Sequence, residues 1–113
     1  MKEIKAYVHR TRIADVIEAV KATSAWVPRP GDAGQHNLTV YAVQGSLATI
    51  DQDERHYSVD LGQEVTREFK LELHCEDADV AELVAAIRAA GRTGQRRAGW
   101  IYVVDIVSAE AIH

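Results

Sequence analysis

Two segments of this chain carry one pattern twice. "IKAYVH" at residues 4–9 and "FKLELH" at residues 69–74 alternate apolar and polar side chains. Each is followed, after a polar gap, by Asp-Val and an amphipathic stretch. Alternation at period two is the mark of a half-buried strand, and recurrence at i, i+3, i+4 and i+7 that of a helix. In the first unit Ile4, Ala6 and Val8 face one way, and Lys5, Tyr7 and His9 the other. Ile13, Val16, Ile17 and Val20 then form one helical face, with Thr11 as the expected N-cap. In the second unit Phe69, Leu71, Leu73 and Cys75 oppose Lys70, Glu72 and His74. The stripe of Val80, Leu83, Val84 and Ile87 follows, with Asp77 as the expected cap and Gly91 as the expected stop. Each unit then gains a second strand, at residues 38–44 closing at Gly45, and at residues 100–107.

Two strand–helix–strand halves predict an α+β fold, the ferredoxin-like βαββαβ sandwich with a four-stranded antiparallel sheet. The strands that follow the helices take its outer positions. The chain of 113 residues fits one domain over residues 1–113. It carries an insertion at about 23–37, broken by Pro28, Pro30, Gly31 and Gly34, where Trp26 is expected to anchor against the body. A long flexible loop is expected at about 46–66, with room for a short hairpin. One sheet face carries both helices. The other bears Tyr102 and residues around Tyr41, and a sheet-to-sheet oligomer would cover it.

A net charge of −4 argues against a basic nucleic-acid domain. Tyr7, Tyr41, Trp100 and Tyr102 are therefore read as buried between subunits, not as a stacking platform for bases. The single cysteine, Cys75, excludes an intrachain disulfide and a thiolate cluster; its apolar phase makes it a core residue. The opening "MKEIKAYVHR" has no long apolar run, so neither a signal peptide nor a membrane span is read there, and a cytoplasmic protein is expected. Of the five histidines, His9 and His74 hold equivalent positions on adjacent central strands and are expected near one another. A zinc site needs three or four convergent ligands, and no metal is expected. His36 and His56 fall in loops without an assigned role. The acidic run "DQDERH" at 51–56 lacks the spacing and glycine of a calcium loop and reads as a solvated loop.

The stretch "AAGRTGQRRAGWIYVVDI" at 89–106 joins the second helix to the last strand. Gly91, Gly94 and Gly99 allow successive N–H groups to converge, and Arg92, Arg96 and Arg97 add donors suited to phosphate. Spacing leaves two readings open, a solvated reversal and an anion-binding nest. The Gly-Lys-Ser or Gly-Lys-Thr pattern of a phosphate loop is absent.

The chain resembles the PII signal-transduction superfamily, as a divergent PII-like protein. "MKEIKAYVHRTRIADVIEAV" is similar to that family's first strand and helix, "LTVYAVQG" to its second strand and closing glycine, and "FKLELHCEDADVAELVAAIRAA" to its third strand and second helix. "RTGQRRAGWIYVVDI" is similar to the loop that the family writes Thr-Gly-Lys-Ile-Gly-Asp-Gly-Lys before its last strand. The resemblance implies a homotrimer with nucleotide clefts between subunits. It implies a phosphate-binding loop of Thr93, Gly94, Arg97, Ala98, Gly99 and Trp100, with Arg92 and Arg96 as further cations. Gly45 and Ser46 would stand at the base of the long loop, and His74 at a pocket-lining position. That loop would dock on a target protein, a membrane transporter or a metabolic enzyme, through Tyr57 and Leu61.

Departures shape the ligand. Gln95, Ala98 and Trp100 replace a lysine, an aspartate and a second lysine. The family's distal arginine pair falls at Ala111 and His113, its magnesium-binding glutamine at Thr49, its uridylylated tyrosine at Leu61, and its 2-oxoglutarate lysine at Glu68. The expectation is a non-enzymatic regulator with no cofactor, binding ADP or AMP in preference to MgATP, in inorganic carbon or nitrogen metabolism. The alternatives are an oligomeric bicarbonate- or anion-binding module without nucleotide, and a small enzyme on the same fold.

Overall fold

The computed structural model describes residues 1–26, 34–47, 49 and 55–113. Chain order is β1 (Lys2–His9), α1 (Ile13–Lys21), β2 (Thr39–Gly45), β3 (Arg55–Ser58), β4 (Gln63–Cys75), α2 (Val80–Ala90) and β5 (Trp100–Asp105). The sheet order is β2-β4-β1-β5, with β3 paired to the start of β4. Every pairing is antiparallel. This is the expected ferredoxin-like βαββαβ arrangement, and the strands after the helices lie outermost. The hairpin allowed for in the long loop is β3 with the first residues of β4, closed by the Gly62 N–H donating to the Ser58 carbonyl at 2.8 Å.

The core follows from the two periodicities. Ile4, Ala6 and Val8 of β1, with Leu71, Leu73 and Cys75 of β4, meet Val16 and Val20 of α1 and Leu83 and Ile87 of α2. Each such aliphatic side chain contributes roughly 1.5–3 kcal/mol on burial. Both helices therefore lie on one sheet face, and the other face is left with Lys5, Tyr7, Lys70, Glu72, Trp100 and Tyr102.

Four local expectations are corrected. Thr11 does not cap α1. Arg12 holds the N-cap position without a side-chain cap bond, because the Thr11 hydroxyl pairs with His9 Nδ1 at 2.8 Å. Asp77 does not cap α2. It opens a 3-10 turn at Asp77–Asp79 and pairs with the N-terminal amine at 3.1 Å, which leaves Asp79 at the N-cap of α2. His9 and His74 are not neighbours: antiparallel register sets His9 opposite Glu68 and His74 opposite Glu3. The two rows are six residue steps apart along β1, about 20 Å at strand rise. The last strand stops at Asp105, and Val107 beyond it is fully exposed.

The described ends of the insertion are tied down. The Ser24 hydroxyl and N–H bond the Glu82 carboxylate and hold it below the usual carboxylate range. Trp26 packs on the core, as expected, and stacks on His36 with ring centroids 4.7 Å apart. His36 is buried. Its Nδ1 hydrogen-bonds the His74 carbonyl at 2.9 Å and its Nε2 the Ala25 carbonyl at 3.0 Å. The prolines of the insertion and Asp51, Asp53 and Glu54 of the acidic run lie outside the described residues. Among the described residues, no helix is long and apolar enough to cross a membrane.

Candidate anion-binding loop and cleft

The loop after α2 is built by its own short-range bonds. The Gly91 N–H ends the helix on the Ile87 carbonyl at 2.9 Å. The Thr93 hydroxyl donates to Gln95 Oε1 at 3.0 Å and accepts from the Gln95 N–H at 3.4 Å. Between them Gly94 takes φ 86°, a conformation that suits glycine. Gln95 also reaches outward: its Nε2 donates to the Thr49 carbonyl at 2.7 Å. The loop and the base of the long connection are thus bonded directly.

Gly99 brings the loop back onto the sheet. A Cβ there would overlap the Tyr7 carbonyl, so only glycine lets β5 begin this close to β1. Register then sets Trp100 opposite Tyr7. The Trp100 ring stacks on Tyr102 at 6.3 Å, Tyr102 meets Tyr7 edge-on at 6.0 Å, and the Arg97 guanidinium lies 5.1 Å from the Trp100 ring centre, a cation–π arrangement.

Two cavities flank this aromatic group. One, of about 310 Å³, runs along the end of α2 and the loop; among the described residues its charged lining is Arg88, Arg92 and Arg96, with no acidic residue. The other, of about 470 Å³, opens on the helix-free face and is lined by Tyr7, Ser46, Leu47, Glu68, Arg97, Trp100 and Tyr102. Tyr7 and Trp100 line both. The described charges of the first are all positive, which suits an anion. The second holds one cation and one carboxylate.

Glu68 is 5% exposed although its phase on β4 points it to the open face. It is covered by the start of the long connection. Its Oε2 accepts from the Leu47 N–H at 3.1 Å, and a Cβ at Gly45 would overlap its carboxylate. Burial pushes the Glu68 carboxyl up, against the opposing pulls of the Leu47 N–H and of His9.

The sequence-predicted residues divide accordingly. Arg92, Gly94, Arg96, Ala98, Gly99 and Trp100 line the arginine-rich cavity. Thr93 shapes the loop without lining it. Ser46 and Arg97 line the second cavity, and Gly45 packs beside it. His74 lies at the far end of β4, opposite Glu3, away from the loop of its own chain. Tyr57 and Leu61 are exposed, at 63% and 52%, on the hairpin. Tyr7, Arg88 and Glu68 also line the cavities; of these Arg88 carries no signal of its own in the sequence. Among the described residues no cluster of metal-ligating side chains occurs.

No protein-family model matches the chain. The chain is similar to "Nitrogen regulatory protein P-II 1" of Methanothermobacter thermautotrophicus, at 26% identity over 107 residues, covering 95% of this chain and 84% of that protein.

Proposed function

We propose that this chain, a divergent PII-like protein, is a regulatory protein that binds an adenine nucleotide, ADP or AMP in preference to MgATP. In this reading the nucleotide lies in clefts between the subunits of a homotrimer, and occupancy reaches a target protein through the connection 46–66. The carrying observation is the cavity whose charged lining, among the described residues, is Arg88, Arg92 and Arg96. Backbone N–H groups beside such cations suit phosphate oxygens. The Gln95–Thr49 bond supplies a physical link from that cavity to the long connection. A trimer is supported by the aromatic open face, where Tyr41, Trp100 and Tyr102 remain 40–48% exposed. Tyr57 and Leu61 offer the exposed apolar contacts that a target would take. The name of the relative favours nitrogen metabolism as the setting, and inorganic carbon is the second.

A second reading has an observation of its own. A volume of about 310 Å³ sits at the low end for a small-molecule site, roughly 300–1,000 Å³, so a small anion such as bicarbonate would fit without nucleotide. Calorimetric titration with AMP, ADP, ATP, cyclic AMP and bicarbonate separates the two. Replacing Arg96 and Arg97 together by Ala is expected to weaken ADP binding by about tenfold or more, from the loss of charge-assisted bonds, with the oligomer intact by sedimentation. Unchanged affinity in that variant rejects the loop as the phosphate contact.

A further inference from the structure

We propose that Glu68 is the selectivity residue of the cleft. Its fixed, buried carboxylate limits how much negative charge a bound ligand can carry past the Tyr7–Trp100 pair, and so penalises a triphosphate against a monophosphate. This rests on the reading that the cleft binds nucleotide.

The geometry gives the carboxylate nowhere else to go. Oε2 is held by the Leu47 N–H at 3.1 Å. The carboxyl occupies the space that a side chain at Gly45 would fill, and Leu47 is itself buried. Glu68 nevertheless lines a cavity together with Ser46, Arg97 and Trp100. Tyr7 and Trp100, the last pair of β1 with β5, line both that cavity and the arginine-lined one.

The charges on the two sides differ. Among the described residues, Arg88, Arg92 and Arg96 stand on one side without an acid; on the other a single lining cation, Arg97, stands against Glu68. An anionic group on the first side is attracted by these three arginines. Each further phosphate that crosses the aromatic pair enters a space already holding a buried carboxylate. Two like charges within about 8–10 Å, at the effective dielectric of a protein cleft, change an equilibrium by on the order of tenfold or more. Water cannot screen the interaction well where the carboxylate is almost wholly covered.

The test is the ratio of affinities, since a merely structural change would move all ligands together. AMP, ADP and ATP are titrated without magnesium into the full-length wild-type protein and into Glu68→Gln. The amide keeps an oxygen for the Leu47 N–H and removes the charge. The expected result is that the ratio of ATP to AMP affinity rises about tenfold. Glu68→Met, an unbranched side chain suited to a buried position, gives the same readout should the amide variant not fold. An unchanged ATP-to-AMP ratio, or an equal rise for all three nucleotides, overturns the role of Glu68 and leaves the nucleotide reading standing. No binding of any nucleotide by wild type overturns both.

Discussion

The Gln95 side-chain amide donates to the Thr49 carbonyl across 2.7 Å, and so joins the loop after α2 to the base of the long connection 46 residues away. Gln95 is itself held by Thr93. A ligand that reorders residues 92–97 therefore acts on Thr49 through one side chain. If that bond carries the signal, Gln95→Ala should lose the nucleotide-dependent change in amide hydrogen exchange at residues 46–49, measured at saturating nucleotide so that affinity does not enter. Persistence of the wild-type protection pattern would show that the signal runs by another route.

The His36 ring closes the insertion onto the sheet. It bonds the carbonyls of Ala25 and His74, and it stacks on Trp26. Replacing His36 by Ala removes the ring's contacts with both carbonyls and a stacked ring. The expected cost is about 2–3 kcal/mol in urea unfolding at fixed protein concentration. A change within about 0.5 kcal/mol, the ordinary range of a surface substitution, would mean that the insertion is not anchored here.

Gly99 and Gly94 should respond to Ala for different reasons. At Gly99 the new Cβ meets the Tyr7 carbonyl, and β5 must shift or bend. Overpacking of that kind costs roughly 1–3 kcal/mol. At Gly94 there is open space, and only φ 86° opposes the substitution, at about 1 kcal/mol. Thermal unfolding should rank Gly99→Ala below Gly94→Ala. The reverse order would contradict the close approach of β5 to β1.

The regular elements were legible because each writes a period. Ile4, Ala6 and Val8, or Leu83 and Ile87, announce their faces through spacing alone, and two strand–helix–strand halves leave few ways to order four strands. What sequence reading missed has no period. Leu47 covers Glu68 from an irregular segment, so the β4 alternation assigns Glu68 to solvent while the fold buries it. His36 bonds backbone carbonyls 11 and 38 positions distant, and a carbonyl has no identity in a sequence. Thr11 and Asp77 have the right side chains for caps, but His9 and the N-terminal amine compete for them. The arginine loop could be located, yet the third arginine of its cavity, Arg88, comes from the exposed side of α2.

Burial of Glu68 also predicts a direction for stability against pH. Its carboxyl is raised above the ordinary value of 4.5, first by desolvation, so the folded chain holds this proton more tightly than the unfolded chain does. Below the unfolded value both states are protonated and the group has no effect. As pH rises from there through the raised folded value, the unfolded state releases the proton first, and Glu68 progressively destabilises the fold. The groups facing it are His9 on β1, Arg97 on the loop, and Tyr7 and Tyr102 across the cavity. Glu68→Gln should therefore be more stable than wild type at neutral pH, with the gap closing as pH falls toward 4.5. Urea midpoints at a series of pH values measure it. A gap that is constant with pH, or one that widens on acidification, would show that the carboxylate is better stabilised by its partners than burial alone allows.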